Sequence, residues 1–277
     1  MVDLRGKRAL VTGASSGIGA AIARELAHQG VSLVLTGRRR DALDRVAGEC
    51  RELGVEADVI VADLGRPNAA SALWTEASED SPIEILVNNA GFGYFRAFGE
   101  ADWARDAELV QLNITSLVEL SRRFIDDRRG QIGRGFLLNI ASIAAYQSTP
   151  NFAVYAASKA FVRNFTEALH DELATSRSPT SATCLSPGGT HTEFHERAGA
   201  GDYGWLANAS MLSAEAVARV GVRAMARGKR SVVPGVLNKI SCWAVRLVPR
   251  RFASWMSVRV LGKPRQQALP PRSASAA

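Results

Sequence analysis

The chain reads Thr12-Gly-Ala-Ser-Ser-Gly-Ile-Gly19 directly after its first apolar run, at residues 9–12. A pattern of apolar residues with helical spacing follows at residues 17–29. Glycines between a buried strand and a helix let the backbone approach a bound pyrophosphate closely, and the helix N-terminus attracts its negative charge. A tight turn without a ligand is the alternative. The strand before the glycines and the helix after them favour a dinucleotide-binding turn.

The rest of the chain continues this alternation of strand and helix. Its apolar runs are continuous, which is typical of parallel strands that are covered on both faces. The predicted strands are at residues 9–12, 32–36, 58–62, 85–87, 136–140, 182–185 and 231–233, and the predicted helices are at residues 17–29, 40–53, 68–79, about 100–127, 152–175 and from 213 onward. This order predicts the α/β class: a single doubly wound parallel-sheet (Rossmann) domain over residues 1–234.

The segment after this domain has a different character. Residues 235–263 are apolar and basic, and Pro249 divides them into two stretches with helical spacing. We therefore predict a C-terminal helical extension that is amphipathic and basic. Residues 264–277 are rich in Pro, Ser, Ala and Gln, and they are predicted to form a disordered tail.

Composition narrows the class of protein. With 47% hydrophobic and 22% charged residues, the chain is not expected to be disordered throughout. We see no leader pattern and no apolar run of about 18 residues, so neither a signal peptide nor a spanning helix is predicted. The cysteines, Cys50, Cys184 and Cys242, are far apart, which favours reduced thiols in a cytoplasmic protein over a disulfide or a zinc site. The net charge of +7 suits anionic ligands, acidic partners or a membrane surface.

The residues after the second predicted strand indicate which dinucleotide binds. Folds that bind NAD carry an acidic residue here, which contacts the adenosine ribose. This chain reads Leu35-Thr-Gly-Arg-Arg-Arg40, so no carboxylate opposes a 2′-phosphate and three guanidinium groups can bind one. The pattern predicts NADPH, with Arg38 as the most favoured contact and Ser15 as a secondary one. A solvated basic loop at a helix start is the alternative.

A tyrosine and a lysine stand one helical turn apart in Tyr155-Ala-Ala-Ser-Lys159. A nearby cation lowers the pKa of a phenol, so that the phenol can exchange a proton near neutral pH. Ser142 follows the strand at residues 136–140, at the sheet edge where such folds bind ligands. Its hydroxyl could donate to a substrate carbonyl. Each pattern alone is weak, because most such pairs are surface residues and most such serines lie in ordinary loops.

Together these motifs resemble the short-chain dehydrogenase/reductase family over about residues 5–234. The resemblance implies a catalytic tetrad of Asn113, Ser142, Tyr155 and Lys159. In this family the tyrosine exchanges a proton with the substrate oxygen, and the lysine lowers the tyrosine pKa and binds the nicotinamide ribose. The serine polarises the carbonyl, and the asparagine orders a water molecule. NADPH is then expected to reduce a ketone or aldehyde, or NADP to oxidise the corresponding alcohol.

The resemblance also implies the cofactor contacts. The glycine-rich turn supplies Gly13, Ser15, Ser16, Gly17, Ile18 and Gly19. Later loops supply Arg38, Arg39, Asp63, Leu64, Asn89, Ala90 and Gly91. Tyr155 and Lys159 contact the cofactor as well, and the loop after the sixth strand is expected to hold the carboxamide through Pro187, Gly188, Thr190 and Thr192. No metal is predicted, because His191 and His195 lie in this expected loop without a third ligand.

Apolar residues are expected to flank the substrate cleft. They are Phe92, Tyr94, Phe95, Ile143, Tyr146, Phe152 and the loop at residues 194–212. These residues favour a small hydrophobic carbonyl or alcohol substrate, although they could equally pack as a lid. A non-catalytic NADPH-binding sensor or regulatory protein is the alternative function, which the presence of Tyr155 and Lys159 disfavours.

Partners are predicted from the long helices and from the C-terminal extension. The family pairs the helices that carry Asn113 and Tyr155, so a homodimer is expected, and no nucleic acid partner is expected. The apolar stripe of the extension comprises Val236, Ile240, Trp243, Ala244, Leu247, Phe252, Met256 and Val260. We favour packing of this stripe over the cleft or the dimer partner. The alternative is that it lies on an anionic membrane, with the cytoplasmic protein peripheral to that membrane.

Overall fold

The computed structural model describes residues 2–190 and 210–261 of the chain. Seven parallel strands form one sheet in the order β3-β2-β1-β4-β5-β6-β7. They are β1 Arg8–Thr12, β2 Ser32–Gly37, β3 Ala57–Val61, β4 Ile85–Asn88, β5 Gly135–Ile140, β6 Thr180–Leu185 and β7 Ser231–Val232. The prediction of a doubly wound sheet is confirmed. The strand order reverses between β1 and β4, which is where such sheets open a crevice for a ligand.

Helices cover both faces of the sheet. They are α1 Gly17–His28, α2 Arg40–Glu52, α3 Ala69–Ser78, α4 Trp103–Val110, α5 Ser116–Arg128, α6 Ala153–Thr175, α7 Ala214–Ala226, α8 Val236–Ala244 and α9 Arg250–Leu261. Helices α1, α2 and α7 pack with Val11 and Leu138 on one face. Helices α3, α5 and α6 pack with Leu10 and Leu137 on the other. Successive strand residues point to opposite faces, and both faces are buried, so the strands are continuous apolar runs.

The helix that we predicted at about residues 100–127 is interrupted. Helix α4 begins only at Trp103, because the Asp102 side chain caps it by accepting from the Ala104 N–H at 3.1 Å. After α4, the five residues Gln111–Thr115 form a π-helical turn before α5 begins. A π turn holds one residue more than an α turn. This turn carries Asn113 into the fully buried interior.

The C-terminal extension forms the two predicted helices, α8 and α9, on either side of Pro249. Small side chains anchor them, since Asn238, Cys242, Ala253 and Ser257 are buried. The apolar stripe faces outward, as the exposures of 71% for Val236, 62% for Trp243 and 50% for Phe252 show. Packing over the chain's own cleft therefore does not account for the stripe. The predicted tail at residues 264–277 lies outside the described residues.

No helix in the described ranges is long and apolar enough to cross a membrane.

Candidate active site

The glycine-rich turn after β1 forms a surface lined by backbone atoms, which is here called the cradle. Gly13 and Gly17 have φ values of +64° and +56°, in the left-handed region that favours glycine. A Cβ on Gly19 would lie 2.3 Å from the Gly13 carbonyl oxygen and 2.4 Å from Asn89 Nδ2, so no side chain fits there. The turn leads into the N-terminus of α1, whose N–H groups attract a phosphate. These residues fit the pyrophosphate of a dinucleotide.

The loop after β4 is fixed to this turn. Asn89 Nδ2 donates to the carbonyl oxygens of Thr12 and Gly13, at 3.0 and 3.1 Å. Thr12 Oγ1 accepts from the backbone N–H groups of Asn89 and Ala90, both at 3.0 Å. The structure therefore brings predicted cofactor contacts from two loops together at the reversal of strand order.

The basic stretch after β2 directs its arginines toward different neighbours. Arg39 donates to Ser16 Oγ at 2.9 Å and to Ser15 Oγ at 3.3 Å, so its guanidinium lies against the glycine-rich turn. Arg38, which we expected as the main contact, pairs with Glu108 of α4 at 3.4 Å, and its side chain is largely exposed. The guanidinium beside Ser15 and Ser16 makes this end of the cradle positively charged, which suits a phosphate.

The predicted cofactor contacts Asp63 and Leu64 follow the carboxyl end of β3. Asp63 Oδ1 accepts from the Gly65 N–H at 3.1 Å. Leu64 is buried, and its carbonyl oxygen accepts from Ser116 Oγ at 2.7 Å. These bonds tie the loop to α5 and hold Asp63 at the same edge of the sheet as the glycine-rich turn.

Asn113 is buried on the π turn, and its side chain hydrogen-bonds to the loop after β4 and to α6. Its Oδ1 accepts from the Phe92 N–H at 3.1 Å, and its Nδ2 donates to the Phe92 carbonyl oxygen and to Ser158 Oγ, both at 3.0 Å. A Cβ on Gly91 would lie 3.0 Å from Asn113 Oδ1 and 3.2 Å from Lys159 Nζ. Glycine at this position thus allows the amide and the ammonium to approach the same point.

Lys159 is enclosed within the protein. Its Nζ donates to the Ile140 carbonyl oxygen at 2.9 Å and lies 5.8 Å from the centre of the Tyr155 ring. Burial disfavours the charged form and lowers the pKa of Lys159 to about 8. The amino group of Lys159 therefore lies close to the phenol ring, and it titrates nearer to neutral pH than an exposed lysine does.

Tyr155 belongs to an aromatic stack. Its ring stacks on Phe152 at 4.2 Å between centres, and Phe152 stacks on Phe95 at 4.3 Å. Tyr94 is buried in the same cluster and donates to Asp106; burial first, and this hydrogen bond second, raise the pKa of Tyr94. Phe92, Tyr94, Phe95 and Phe152 thus pack with Tyr155 as expected and give the phenol an apolar wall. Tyr146, which we also expected at the cleft, lies outside this cluster, and the Arg163 guanidinium lies 4.4 Å from its ring centre.

Ser142 lies just after β5 and begins a 3₁₀ turn, Ile143–Tyr146. Its Oγ accepts from the Ala144 N–H at 3.1 Å. The Ile143 N–H donates to the Pro187 carbonyl oxygen at 2.9 Å, which joins this turn to the loop after β6. All four predicted tetrad residues therefore lie at the carboxyl edge of the sheet, on the π turn, α6 and the loop after β5.

The loop after β6 packs against a residue that the sequence did not single out. A Cβ on Gly188 would lie 2.4 Å from Nδ2 of Asn238 in α8. Asn238 is buried and donates to the carbonyl oxygens of Pro234 at 3.0 Å and Ser210 at 3.2 Å. Thr190 Oγ1 donates to the Gly188 carbonyl oxygen at 3.1 Å. Predicted contact Thr192 lies outside the described residues.

A buried network of amide and hydroxyl side chains connects the strands that end at the site, and its member Asn139 was not singled out from the sequence. Asn88 Nδ2 donates to Asn139 Oδ1 at 2.9 Å and to Ser121 Oγ at 3.0 Å, and Asn139 Nδ2 donates to Thr166 Oγ1 at 2.9 Å. This buried network joins β4 and β5 to α5 and α6. Asn139 is a polar residue inside an apolar strand, and this was a signal that could have identified it.

Metal and thiol chemistry have little structural support. Across the residues that the structure describes, no group of three or more His, Cys, Asp or Glu side chains is placed to hold a metal ion, and His191 and His195 lie outside those residues. Burial raises the pKa of Cys50, Cys184 and Cys242 to about 11, so these thiols stay protonated at neutral pH.

Comparisons with known proteins give consistent matches. A family model described as short chain dehydrogenase matches residues 7–202. The very-long-chain 3-oxoacyl-CoA reductase of Anas platyrhynchos is 39% identical over 173 residues, which cover 60% of this chain and 55% of that protein. A solved short-chain dehydrogenase from Sphingobium yanoikuyae in complex with NADPH is 29% identical, with a TM-score of 0.77 and 98% of each chain covered. A 7β-hydroxysteroid dehydrogenase structure is 25% identical, with a TM-score of 0.82, 92% of this chain and 97% of that one.

Proposed function

This chain belongs to the short-chain dehydrogenase family, and from this we propose an NADPH-dependent oxidoreductase that reduces a ketone or aldehyde of a hydrophobic substrate, or oxidises the alcohol. The enclosed ammonium of Lys159 beside the Tyr155 ring carries the proposal, because a cation there favours the phenolate. Family membership makes the protein an oxidoreductase that uses a nicotinamide cofactor. The alternative of a non-catalytic sensor is therefore not proposed.

The proposed mechanism assigns one task to each polar group. Tyr155 donates its phenolic proton to the carbonyl oxygen during reduction and takes it back during oxidation. Lys159 lowers the pKa of that phenol by its charge, and Ser142 donates a hydrogen bond to the same carbonyl oxygen. Asn113 positions the Phe92 backbone, and the neighbouring Gly91 lies close to Lys159. The bound nicotinamide supplies or accepts the hydride.

NADPH is proposed rather than NADH because arginine side chains make one end of the cradle positively charged. Arg39 lies against Ser15 and Ser16, and Arg38, which pairs with Glu108, is largely exposed on the same loop. Guanidinium groups bind phosphate oxygens through charge-assisted hydrogen bonds, and no acidic side chain of this loop repels them. The NADPH complex of the Sphingobium relative supports the same choice.

A hydrophobic substrate is proposed because the phenol is set among aromatic rings. Tyr155, Phe152, Phe95 and Tyr94 form one buried cluster, so a polar substrate would lose hydration without gaining partners there. Two relatives agree with this chemistry by name, one a very-long-chain 3-oxoacyl-CoA reductase and the other a hydroxysteroid dehydrogenase.

The test is consumption of NADPH, followed by its absorbance, with a panel of carbonyl compounds. The panel pairs steroid ketones and long-chain 3-oxoacyl thioesters with short polar ketones. We expect turnover with members of the first group and little with the second. Turnover confined to the polar ketones would overturn the substrate class, and absence of turnover across the panel in both directions would overturn the proposed activity.

The matched variants are Tyr155→Phe and Tyr94→Phe, which remove the same hydroxyl from two tyrosines of one aromatic cluster. Tyr155→Phe should lower kcat by about 10²–10⁴-fold, because it removes the proton donor. NADPH affinity should change little. Tyr94→Phe should retain most of the activity, since its hydroxyl is bonded to Asp106. Equal losses in the two variants would contradict the role given to Tyr155.

A further inference from the structure

The positive charge of the chain is concentrated at its C-terminal end. Residues 216–277 contain thirteen Lys and Arg and no Asp or Glu, whereas residues 1–215 contain 21 basic and 27 acidic residues. The net charge of +7 therefore arises entirely after Glu215. Ten of the thirteen cations belong to residues 216–261, which the structure describes.

The exposed side chains of α8 and α9 and of the turn between them are mostly apolar or basic, and together they are here called the C-terminal face. Its apolar members are largely exposed: Val236 71%, Leu237 53%, Ile240 56%, Trp243 62%, Leu247 66%, Phe252 50% and Trp255 48%. Its basic members Lys239, Arg246, Arg250, Arg251 and Arg259 are exposed as well. An apolar face that is turned to solvent marks an interaction surface.

A cationic groove adjoins the C-terminal face between α7 and α8, beside the edge strand β7. Its volume is about 680 Å³. Six cations line it: Arg219, Arg223, Arg227, Lys229, Lys239 and Arg246. Its other walls include Val220, Cys242 and Trp243, and no carboxylate is among the lining residues that the structure describes. The groove is suited to an anionic headgroup that is followed by an apolar chain.

The combination of apolar and basic side chains on the C-terminal face favours one kind of binding partner over others. A second copy of the chain, joined by a two-fold axis, would bring like charges together. A nucleic acid would use the cations and the tryptophans but would leave Val236, Leu237, Ile240 and Leu247 in water. An anionic bilayer uses both sets, since its headgroups attract the cations and its acyl boundary takes up the apolar side chains.

We propose that the C-terminal face and the adjoining groove dock the protein onto an anionic lipid bilayer. The cation–aromatic pair on α9 fits this role, because Arg259 lies 4.1 Å above the Trp255 ring and so places charge and apolar surface at one level. Each cation near such a surface contributes about fivefold to binding. Two cations removed together should therefore weaken binding by about 25-fold.

The experiment is sedimentation of the full chain with vesicles at low salt. One set of vesicles is phosphatidylcholine alone, and the other is equimolar phosphatidylcholine and phosphatidylglycerol. We expect binding to the second set, little binding to the first, and release as salt is added. Protein that stays in the supernatant with both sets overturns the proposal, and so does equal binding to both.

Exposed substitutions identify the surface without unfolding the protein. Lys239→Gln with Arg246→Gln, and separately Trp243→Ser with Trp255→Ser, should each weaken vesicle binding. The control is Arg45→Gln with Arg177→Gln, which removes two exposed cations outside the C-terminal face and should leave binding unchanged. Equal losses in the control and the test variants would overturn the assignment of the surface, with folding checked by circular dichroism.

Two further readouts separate the other occupants. Light scattering of the tryptophan variant would favour a second copy if a wild-type dimer became a monomer. Binding of a single-stranded oligonucleotide that depends on the same residues, without vesicle binding, would favour nucleic acid. Either result overturns the bilayer proposal, and neither depends on turnover, so the result is independent of the proposed activity.

Discussion

The burial of Lys159 makes the folding stability of the whole protein depend on pH. Its folded-state pKa is lowered to about 8 from an ordinary value of 10.5. Between these pH values the unfolded chain holds a proton that the folded chain has released. The free energy of unfolding therefore rises with pH across this window, whereas below about pH 8 both states carry the charge and the folded state bears the cost of burying it.

The prediction compares the wild type with Lys159→Met in the absence of cofactor. Because methionine does not titrate, the stability of the wild type relative to the variant should increase as the pH rises from about 8 to about 10.5, by roughly 3 kcal/mol at most. Urea denaturation of both proteins at several pH values measures this difference. If the stability of the wild type relative to the variant does not change with pH, or decreases as the pH rises, Lys159 is not desolvated in the folded protein.

We expect single residues to decide the cofactor preference as well. A Cβ on Gly37 would meet Ser15 Oγ at 3.6 Å, an ordinary contact, so an acidic side chain has room there. Gly37→Asp with Arg38→Leu should shift preference from NADPH toward NADH, and Arg39→Leu alone should weaken NADPH binding by about 10- to 100-fold, since a charge-assisted bond is lost.

Dissociation constants for both cofactors, from fluorescence titration, measure the shift. Arg45→Leu is the control, because it removes an exposed arginine from α2 outside the basic loop. Equal affinity of the wild type for the two cofactors would contradict the role given to the arginines.

At the level of elements, helix α8 contacts the loop after β6 through Asn238. Asn238 fills the space that a side chain at position 188 would need. Gly188→Ala should therefore displace the loop after β6 and weaken cofactor binding by about tenfold or more, because that loop is expected to hold the carboxamide. Asn238→Gly, which frees the space, should partly restore binding in the Gly188→Ala background.

Titration of NADPH into the wild type, the two single variants and the double variant forms a double-mutant cycle. A positive coupling between positions 188 and 238 is expected, since residues in contact do not act additively. Additive losses would show that the two residues act separately.

The sequence predicted the elements better than their interactions. The strand bounds matched within one residue, except that β6 begins two residues earlier than predicted, because buried parallel strands are continuous apolar runs. The π turn around Asn113 left no signal, since it adds one residue to a helix without changing composition. The stripe on α8 and α9 was recognised from its spacing. The prediction that it packs over the chain's own cleft was wrong, because small residues such as Ala253 and Ser257 anchor α9 instead. Contact of the stripe with a dimer partner or with a membrane stays a prediction.

In the candidate site, too, some features could be predicted from the sequence and others could not. The glycines and the catalytic candidates were found from motifs, because their backbone geometry and chemistry demand particular residue types. Which arginine lies against the glycine-rich turn was not predictable, since the reach of a long side chain depends on neighbours such as Glu108, which are distant in sequence. Asn238 was missed because its partners, Gly188 and Ser210, come from elements that only the fold brings together.

Assembly is a property of the whole molecule, and the homodimer remains a prediction. Phe161 on α6 is 40% exposed and stacks on Phe165 at 5.8 Å, which leaves an apolar pair for a partner. Phe161→Glu should weaken the dimer by about 2 kcal/mol or more, roughly thirtyfold in dissociation constant. Leu53→Glu, with the same exposure at the end of α2, should not. Light scattering across a dilution series measures both, and a wild-type monomer at micromolar concentration would contradict the prediction.

The uneven distribution of charge along the chain gives the folded protein an electric dipole moment. A charged surface exerts a torque on such a molecule before it makes contact, and the torque turns the positive end toward a negative surface. The dipole also persists where the net charge vanishes, near the isoelectric point of about 9.8. At that pH the protein should still be retained by a cation-exchange resin, and neighbouring molecules should tend to align head to tail.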